Sequence, residues 1–320
     1  MKTDLRTAVF CWLVDRSGHE TVERLSAEQI AKRRDDPLPH AWPASYITGA
    51  KAKGVRQLDR SLPLPDATIP ARVYSPRAAG PLPLVVYFHG GGWALGNLSS
   101  NDAMCSQIAA RVGAVVVSVG YRLAPEHRMP VAAEDAYAAT VWLAAHADEV
   151  GGDGTRLAVA GDSAGGNLAA VVSILARDRG GPVISHQVLI YPATDGTLTS
   201  PSLQERAAGP ILTLASVRAY RQMYLGPDGD PLDVRMSPLS ADDLSGLPPA
   251  LVQGAELDPL RDDAGRYAEA MRRAGVDVRY TEYVGAPHGY LSIPGVVRGS
   301  KQAMAEIVRE LSAHLSPAPG

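Results

Sequence analysis

Ser163 stands in Gly161-Asp162-Ser163-Ala164-Gly165, at the end of the apolar run RLAVAG and ahead of a small-residue helix start. In that strand-turn-helix setting a sharp turn exposes the hydroxyl, and the flanking glycines avoid clashes with the neighbouring strand and helix. The helix N-terminus behind the serine favours developing negative charge. Such a turn alone could equally be tight packing or a phosphate loop. A second string tips the balance: Val85-Val86-Tyr87-Phe88 leads into His89-Gly90-Gly91-Gly92-Trp93. Three glycines there leave backbone N–H groups uncovered, and acyl transfer needs such donors where a tetrahedral oxygen forms. Gly90, Gly91 and Ala164, the residue after the nucleophile, are the predicted oxyanion donors, with His89 holding the glycine loop in shape.

A nucleophilic serine needs a base, and the base needs an acid. Where the serine sits on such a turn, acid and then histidine follow it along the chain. His288 and His314 are the late histidines. His288 follows the apolar run VRYTEYVG in the loop Ala286-Pro287-His288-Gly289-Tyr290, whereas His314 falls in a helix-like segment and is expected to face solvent. The predicted acid is Asp258, which follows PALVQGAEL and so projects from a strand end. Asp195 also follows a strand, in VLIYPATDG, but Gly196 and Thr197 after it suit a turn. Asp262 and Asp263 read as first-turn helix acids. The catalytic prediction is therefore Ser163, Asp258 and His288, with Trp93 and Tyr290 as candidate lining of the substrate pocket.

These residues must be positioned by a regular frame, and short apolar runs alternate with amphipathic ones along the chain. The runs 83–88, 114–119, 157–160, 188–191, 250–252 and 278–283 read as strands, several of them continuously apolar and Val-rich, as strands buried on both faces are. Helix-like segments at 101–111, 131–147, 164–177, 261–274 and 300–315 can cross back over a sheet. This alternation predicts an α/β doubly wound, mostly parallel sheet flanked by helices. Residues 55–74 look like an antiparallel edge pair, because Pro63, Pro65 and Pro70 fit poorly in central strands. Two regions break the alternation: residues 1–50, an expected N-terminal cap segment, and an insertion at about 196–247 within a catalytic domain at 51–320. Ser26 and Gln29 resemble a capping box, and Ile211 to Leu225 carries apolar residues at helical spacing.

With 320 residues, 46% hydrophobic and 20% charged, the chain can bury a large core, and its formal net charge of −3 gives no reason to expect nucleic acid as a partner. The two cysteines, Cys11 and Cys105, fit neither a disulfide framework nor a metal motif. The N-terminal apolar stretch is too short for stable membrane insertion and lacks a small-residue cleavage site, so a cytoplasmic protein is expected.

Taken in order, HGGGW, YRLAPEHRMPVAAEDAY, GDSAGG, DPLRDD and the late HGY resemble the bacterial hormone-sensitive-lipase-like carboxylesterases from about Asp66 to the C-terminus. The resemblance implies an α/β-hydrolase fold with a helical cap, and hydrolysis of a small-molecule ester with short acyl chains. It also implies no metal or organic cofactor. It makes YRLAPEHRMP mainly architectural, with Arg122 and Glu126 as a candidate bracing pair. The same triad could cleave an amide or formamide. A ligand-binding receptor on a dead hydrolase should lack a triad member. A homodimer is left open.

Overall fold

The computed structural model describes residues 5–16, 21–34, 43–78 and 80–316. The N-terminal segment holds helices α1 (Leu5–Arg16), α2 (Ala27–Arg34) and α3 (Ser45–Thr48). The remainder of that predicted cap segment, at 1–4, 17–20 and 35–42, lies outside the described residues. There follow strands β1 (Val55–Pro63), β2 (Thr68–Pro76) and β3 (Leu82–Phe88), helix α4 (Asp102–Ile108), β4 (Val115–Val119), α5 (Val131–Ala145), β5 (Gly152–Asp162), α6 (Ala164–Asp178) and β6 (His186–Ile190). Next come α7 (Ser202–Glu205), α8 (Leu214–Leu225), β7 (Ala250–Ala255), α9 (Arg261–Arg273), β8 (Val278–Tyr283) and α10 (Gly299–Leu315).

The strands form one eight-stranded sheet in the order β1-β2-β4-β3-β5-β6-β7-β8. From β4 to β8 all pairings are parallel, and β2 runs antiparallel to both β1 and β4. The prediction of an antiparallel pair holds, but only β1 is an edge. Pro70 is tolerated in the inner strand β2 because the ladder to β4 starts one residue later, at Ala71↔Val119. Every residue of β4, β6 and β7 is buried, as expected for strands covered on both faces. Helices α5, α6 and α9 pack on one face of the sheet and α4 and α10 on the other, each side with its own apolar cluster. Parallel pairing brings the chain ends after β3, β5, β7 and β8 to one sheet edge, and the predicted site residues are in those loops.

The two regions outside the alternation meet above that edge. Ser26 and Gln29 close a reciprocal capping box: Ser26 N donates to Gln29 Oε1 at 2.8 Å and Gln29 N donates to Ser26 Oγ at 3.2 Å. The helix expected at 211–225 begins at Leu214, where Thr213 Oγ1 accepts from Ser216 N at 3.1 Å. Val22 and Ile30 pack with Ala94 of the glycine loop and with Tyr220 and Met223 of α8.

Arg34 ties the N-terminal segment down, with its guanidinium donating to the carbonyl of Ala94 at 2.7 Å and to Glu126 at 2.7 Å. The expected Arg122–Glu126 pair is thereby corrected. Glu126 belongs to Arg34, and Arg122 makes a bidentate pair with Asp135 of α5 at 2.9 and 2.7 Å. Asp135 is one helical turn into α5 and faces the loop from within the fold, a placement that spacing along the chain does not reveal. His314 is likewise half-buried rather than solvent-facing, because its ring stacks on His186 at 4.1 Å. Among the described residues no helix is long and apolar enough to cross a membrane.

Candidate active site

Strand β5 delivers Ser163 to the sheet edge and α6 leaves from it, which forces Ser163 to φ 55° and ψ −119°. That region is costly for a residue with a side chain and persists only where the surroundings enforce it. Here they do: Ser163 N donates to the Ile190 carbonyl of β6 at 2.9 Å. A Cβ on Gly161 would strike the Gly165 carbonyl, and one on Gly165 would strike the Phe88 carbonyl. The glycines are thus required by the approach of strand to helix.

The loops after β7 and β8 bring the other two residues to this hydroxyl. His288 Nε2 lies 2.9 Å from Ser163 Oγ, and His288 Nδ1 lies 2.6 Å from Asp258 Oδ2. Asp258 is fully buried, and its second oxygen accepts from Leu260 N at 2.8 Å. The carboxylate takes the Nδ1–H, leaving the Nε2 lone pair toward the serine. The loops are cross-linked by Leu257 N donating to the Ala286 carbonyl at 2.9 Å. Asp195 is turned elsewhere, with Arg266 Nη1 at 2.7 Å and Thr197 N at 2.9 Å on its carboxylate.

The glycine loop requires a correction. Gly90 N donates to Asp162 Oδ1 at 3.0 Å, so this amide is not available to an oxyanion. Asp162 sits beside the nucleophile and is enclosed by the site, and a Cβ on Gly90 would press against its carboxylate. Its Oδ1 also accepts from Tyr87 Oη at 2.8 Å and Asn101 Nδ2 at 3.0 Å. Burial pushes the Asp162 carboxyl up, and these three donors oppose that shift. Among the described residues no protein acceptor takes the N–H of Gly91, Gly92 or Ala164, and all three residues line the cavity at Ser163. The second and third glycines therefore stand where the first two were expected.

His89 is buried and holds the loop. Its Nδ1 is 2.8 Å from the Gly90 carbonyl, its ring stacks on Tyr121 at 4.5 Å, and burial pulls it down to about 4. It is accordingly neutral at pH 7.

The cavity above Ser163 has a volume of about 300 Å³. Trp93 lines it and stacks on Tyr224 at 4.6 Å. Tyr290, the other predicted lining residue, does not reach it; Tyr290 is fully buried against Tyr191 and Tyr283, with its hydroxyl on Gln253 Oε1 at 3.3 Å. The ring is drawn into the core beneath α10, and Gly289 and Ser292 on either side of it line the cavity instead.

Most of the apolar wall escaped sequence reasoning. Leu198, Ile211, Leu212 and Val217 come from the insertion and Leu260 from the start of α9. Asp263 was also missed. It is fully buried, accepts from Thr194 N at 2.9 Å, Asp195 N at 3.1 Å and Ser200 Oγ at 2.9 Å, and burial raises it to about 7. As the second acid of a helix start it looked like surface, and its partners Thr194, Asp195 and Ser200 lie more than sixty residues away along the chain.

Residues 85–292 match the family model for the alpha/beta hydrolase fold. The chain is 47% identical over 266 residues to a carboxylic ester hydrolase, LipN, of Mycobacterium tuberculosis, a match covering 81% of this chain and 70% of that protein. It is 45% identical over 253 residues to the esterase LipI of the same organism, covering 78% and 79%. Among solved structures, a thermostable esterase from Pseudomonas putida superposes with a TM-score of 0.90 at 34% identity, over 98% of both chains. The chain belongs to the alpha/beta hydrolase fold family, in its hormone-sensitive-lipase-like branch.

Proposed function

We propose that the protein is a serine carboxylesterase acting on small esters with short acyl chains, and that Ser163, His288 and Asp258 are its catalytic residues. The observation that carries the reading is the hydrogen-bonded chain Ser163 Oγ, His288 Nε2 and Nδ1, Asp258 Oδ2, at 2.9 and 2.6 Å, beside three uncommitted amides. His288 accepts the Ser163 proton as Oγ attacks the ester carbonyl carbon. The carbonyl oxygen becomes an anion held by the amides of Gly91, Gly92 and Ala164, each worth about 3 kcal/mol at the transition state. Collapse breaks the bond to the alkoxy oxygen, His288 returns the proton to it, and the alcohol leaves an acyl-serine behind. Water then gives a proton to the same imidazole as it attacks the acyl carbon; collapse breaks the bond to Ser163 Oγ, His288 returns the proton to that oxygen, and the carboxylic acid leaves. Asp258 stabilises the imidazolium in both halves.

The names of the relatives, a carboxylic ester hydrolase and an esterase, support ester over other acyl substrates. The short acyl preference rests on the small cavity and on the large side chains closing it. In this reading residues 1–50 and 196–247 act together as a cap over a catalytic domain at 51–320. The partner is a small-molecule ester rather than a nucleic acid, the setting is cytoplasmic, and a homodimer is compatible with the site. The test is a panel of p-nitrophenyl esters of rising acyl length beside matched anilides, with native protein and Ser163→Ala. Ester turnover that vanishes in Ser163→Ala, with a fluorophosphonate label mapping to Ser163, is the expected result. A larger kcat/KM for the anilide, or a label elsewhere, would overturn it.

A further inference from the structure

Among the described residues Arg221 is the one arginine or lysine that lines the cavity above Ser163. It is half-buried on α8, one turn after Val217, so helical spacing puts it on the face of α8 that supplies the apolar wall. Its Nε–H donates to the Gly196 carbonyl. That acceptor is itself fixed, because Gly196 N donates to Ser237 Oγ at 2.6 Å and Thr197 N donates to the Asp195 carboxylate at 2.9 Å. The guanidinium is thereby held at one corner, and its Nη1 and Nη2 edge meets no acceptor among the described residues.

The carboxylates along the cavity leave this charge unmatched. Asp195, beside the anchoring carbonyl, pairs with Arg266 at 2.7 Å, and Asp162 is engaged by Tyr87, Gly90 and Asn101. Asp263 accepts from Thr194 N, Asp195 N and Ser200 Oγ. Arginines elsewhere on the insertion and at the start of α9 do find counter-ions: Arg235 meets Asp233 at 2.6 Å and Arg261 meets Glu205 at 2.8 Å. A guanidinium with its Nη edge open takes a carboxylate through two parallel N–H···O bonds, a fit that a lysine cannot reproduce.

We infer that Arg221 is a specificity-determining residue, and that the substrates this cavity fits best are esters whose short acyl chain ends in a carboxylate, that is, monoesters of small dicarboxylic acids. The inference rests on the esterase reading of Ser163. The scissile carbonyl sits at the amides of Gly91, Gly92 and Ala164, the methylenes lie along Leu212 and Val217, and the terminal carboxylate meets Nη1 and Nη2. The bonds made and broken at Ser163 are those of any ester, and the terminal carboxylate keeps its charge throughout. Because Arg221 grips ground state and transition state alike, the pairing acts on KM more than on kcat.

The experiment compares the monoethyl esters of succinate, glutarate and adipate with ethyl succinamate, glutaramate and adipamate, in which a neutral amide of equal size replaces the carboxylate. The readout is the ratio of kcat/KM within each pair, so general damage to a variant cancels. The native ratio should favour the carboxylate by roughly tenfold to a hundredfold at the best length, as charged hydrogen bonds do. Arg221→Gln should bring the ratio to about one through KM, Arg221→Lys should leave an intermediate value, and Arg221→Glu should invert it. Calorimetric titration with glutarate should show binding to the native protein that Arg221→Gln loses. A native protein that hydrolyses ethyl butyrate but shows no charge preference, or a preference undiminished in Arg221→Gln, would overturn the inference and leave the esterase reading standing. A preference only for a carboxylate on the alcohol side, measured with acetoxyacetate against acetoxyacetamide, would overturn it too. Glutarate binding that needs Arg221 in a protein that hydrolyses no ester would sustain the carboxylate site and overturn the esterase reading instead.

Discussion

The amide of Gly90 and the carboxylate of Asp162 are joined at 3.0 Å, so the residue before the nucleophile holds the loop that carries the oxyanion donors. Tyr87 and Asn101 converge on the same oxygen. Elbow and glycine loop are thereby one unit, and the position of Ser163 relative to Gly91 and Gly92 depends on the Asp162 carboxylate. Asp162→Ala should lower kcat and kcat/KM together, on the order of a hundredfold, through displaced donors. It should also cost about 3 kcal/mol of stability by leaving buried donors unmatched. Undiminished kcat in a folded Asp162→Ala protein would show that the loop holds itself.

The two carboxylates that end neighbouring strands should differ sharply. Asp258 bonds the imidazole, and Asp258→Asn favours the wrong tautomer, with an expected loss on the order of a thousandfold or more in kcat. Asp195 bonds Arg266 and Thr197 instead, so Asp195→Asn should lose roughly tenfold at most. Both variants are compared at one pH with circular dichroism verifying the fold, and the reverse ranking would reassign the acid.

Acyl preference should follow the wall supplied by the insertion. Each methylene that the cavity accepts is worth about 0.8 kcal/mol, or roughly fourfold in kcat/KM, until the space is filled. Leu212 and Val217 close the 300 Å³ cavity. Leu212→Ala should move the optimum toward longer chains by one or two carbons while slowing acetate and butyrate esters. An optimum unmoved across the panel would place the acyl chain elsewhere.

Asp263 should leave its mark on stability. Its carboxyl titrates at about 7 in the fold against an ordinary value of 3.8, because burial penalises the charge. The folded state therefore holds a proton that the unfolded chain has lost, and this contribution falls as pH rises from about 4 through 7. Asp263→Asn removes the titration, so the native protein's advantage in Tm over the variant should be larger at pH 4.5 than at pH 8. A difference independent of pH would mean that three donors hold Asp263 ionised throughout.

Much of the frame was legible before any coordinates. Continuous Val-rich runs from 83 to 283, separated by helix-length segments, predict buried parallel strands, and parallel strands end at one edge. Ser163, Asp258 and His288 each follow such a run, which is why their convergence could be anticipated from spacing. Tight backbone turns were legible too, since only glycine fits at Gly161 and Gly165.

Partner choice was not legible. Gly90 and Gly91 are alike as letters, and only the approach of Asp162 from β5 decides which amide is spent on the protein. Arg122 could reach Glu126 or Asp135 along the chain, and helix packing chose the second. Tyr290 stands two residues from His288 but points into the core. Spacing and periodicity act over a few residues and alone determined the strands, the turns and the candidate nucleophile, base and acid. Which polar group meets which, how large the cavity is, and that Asp263 and His186 are buried at all depend on contacts between distant segments, and the tertiary structure alone decided those.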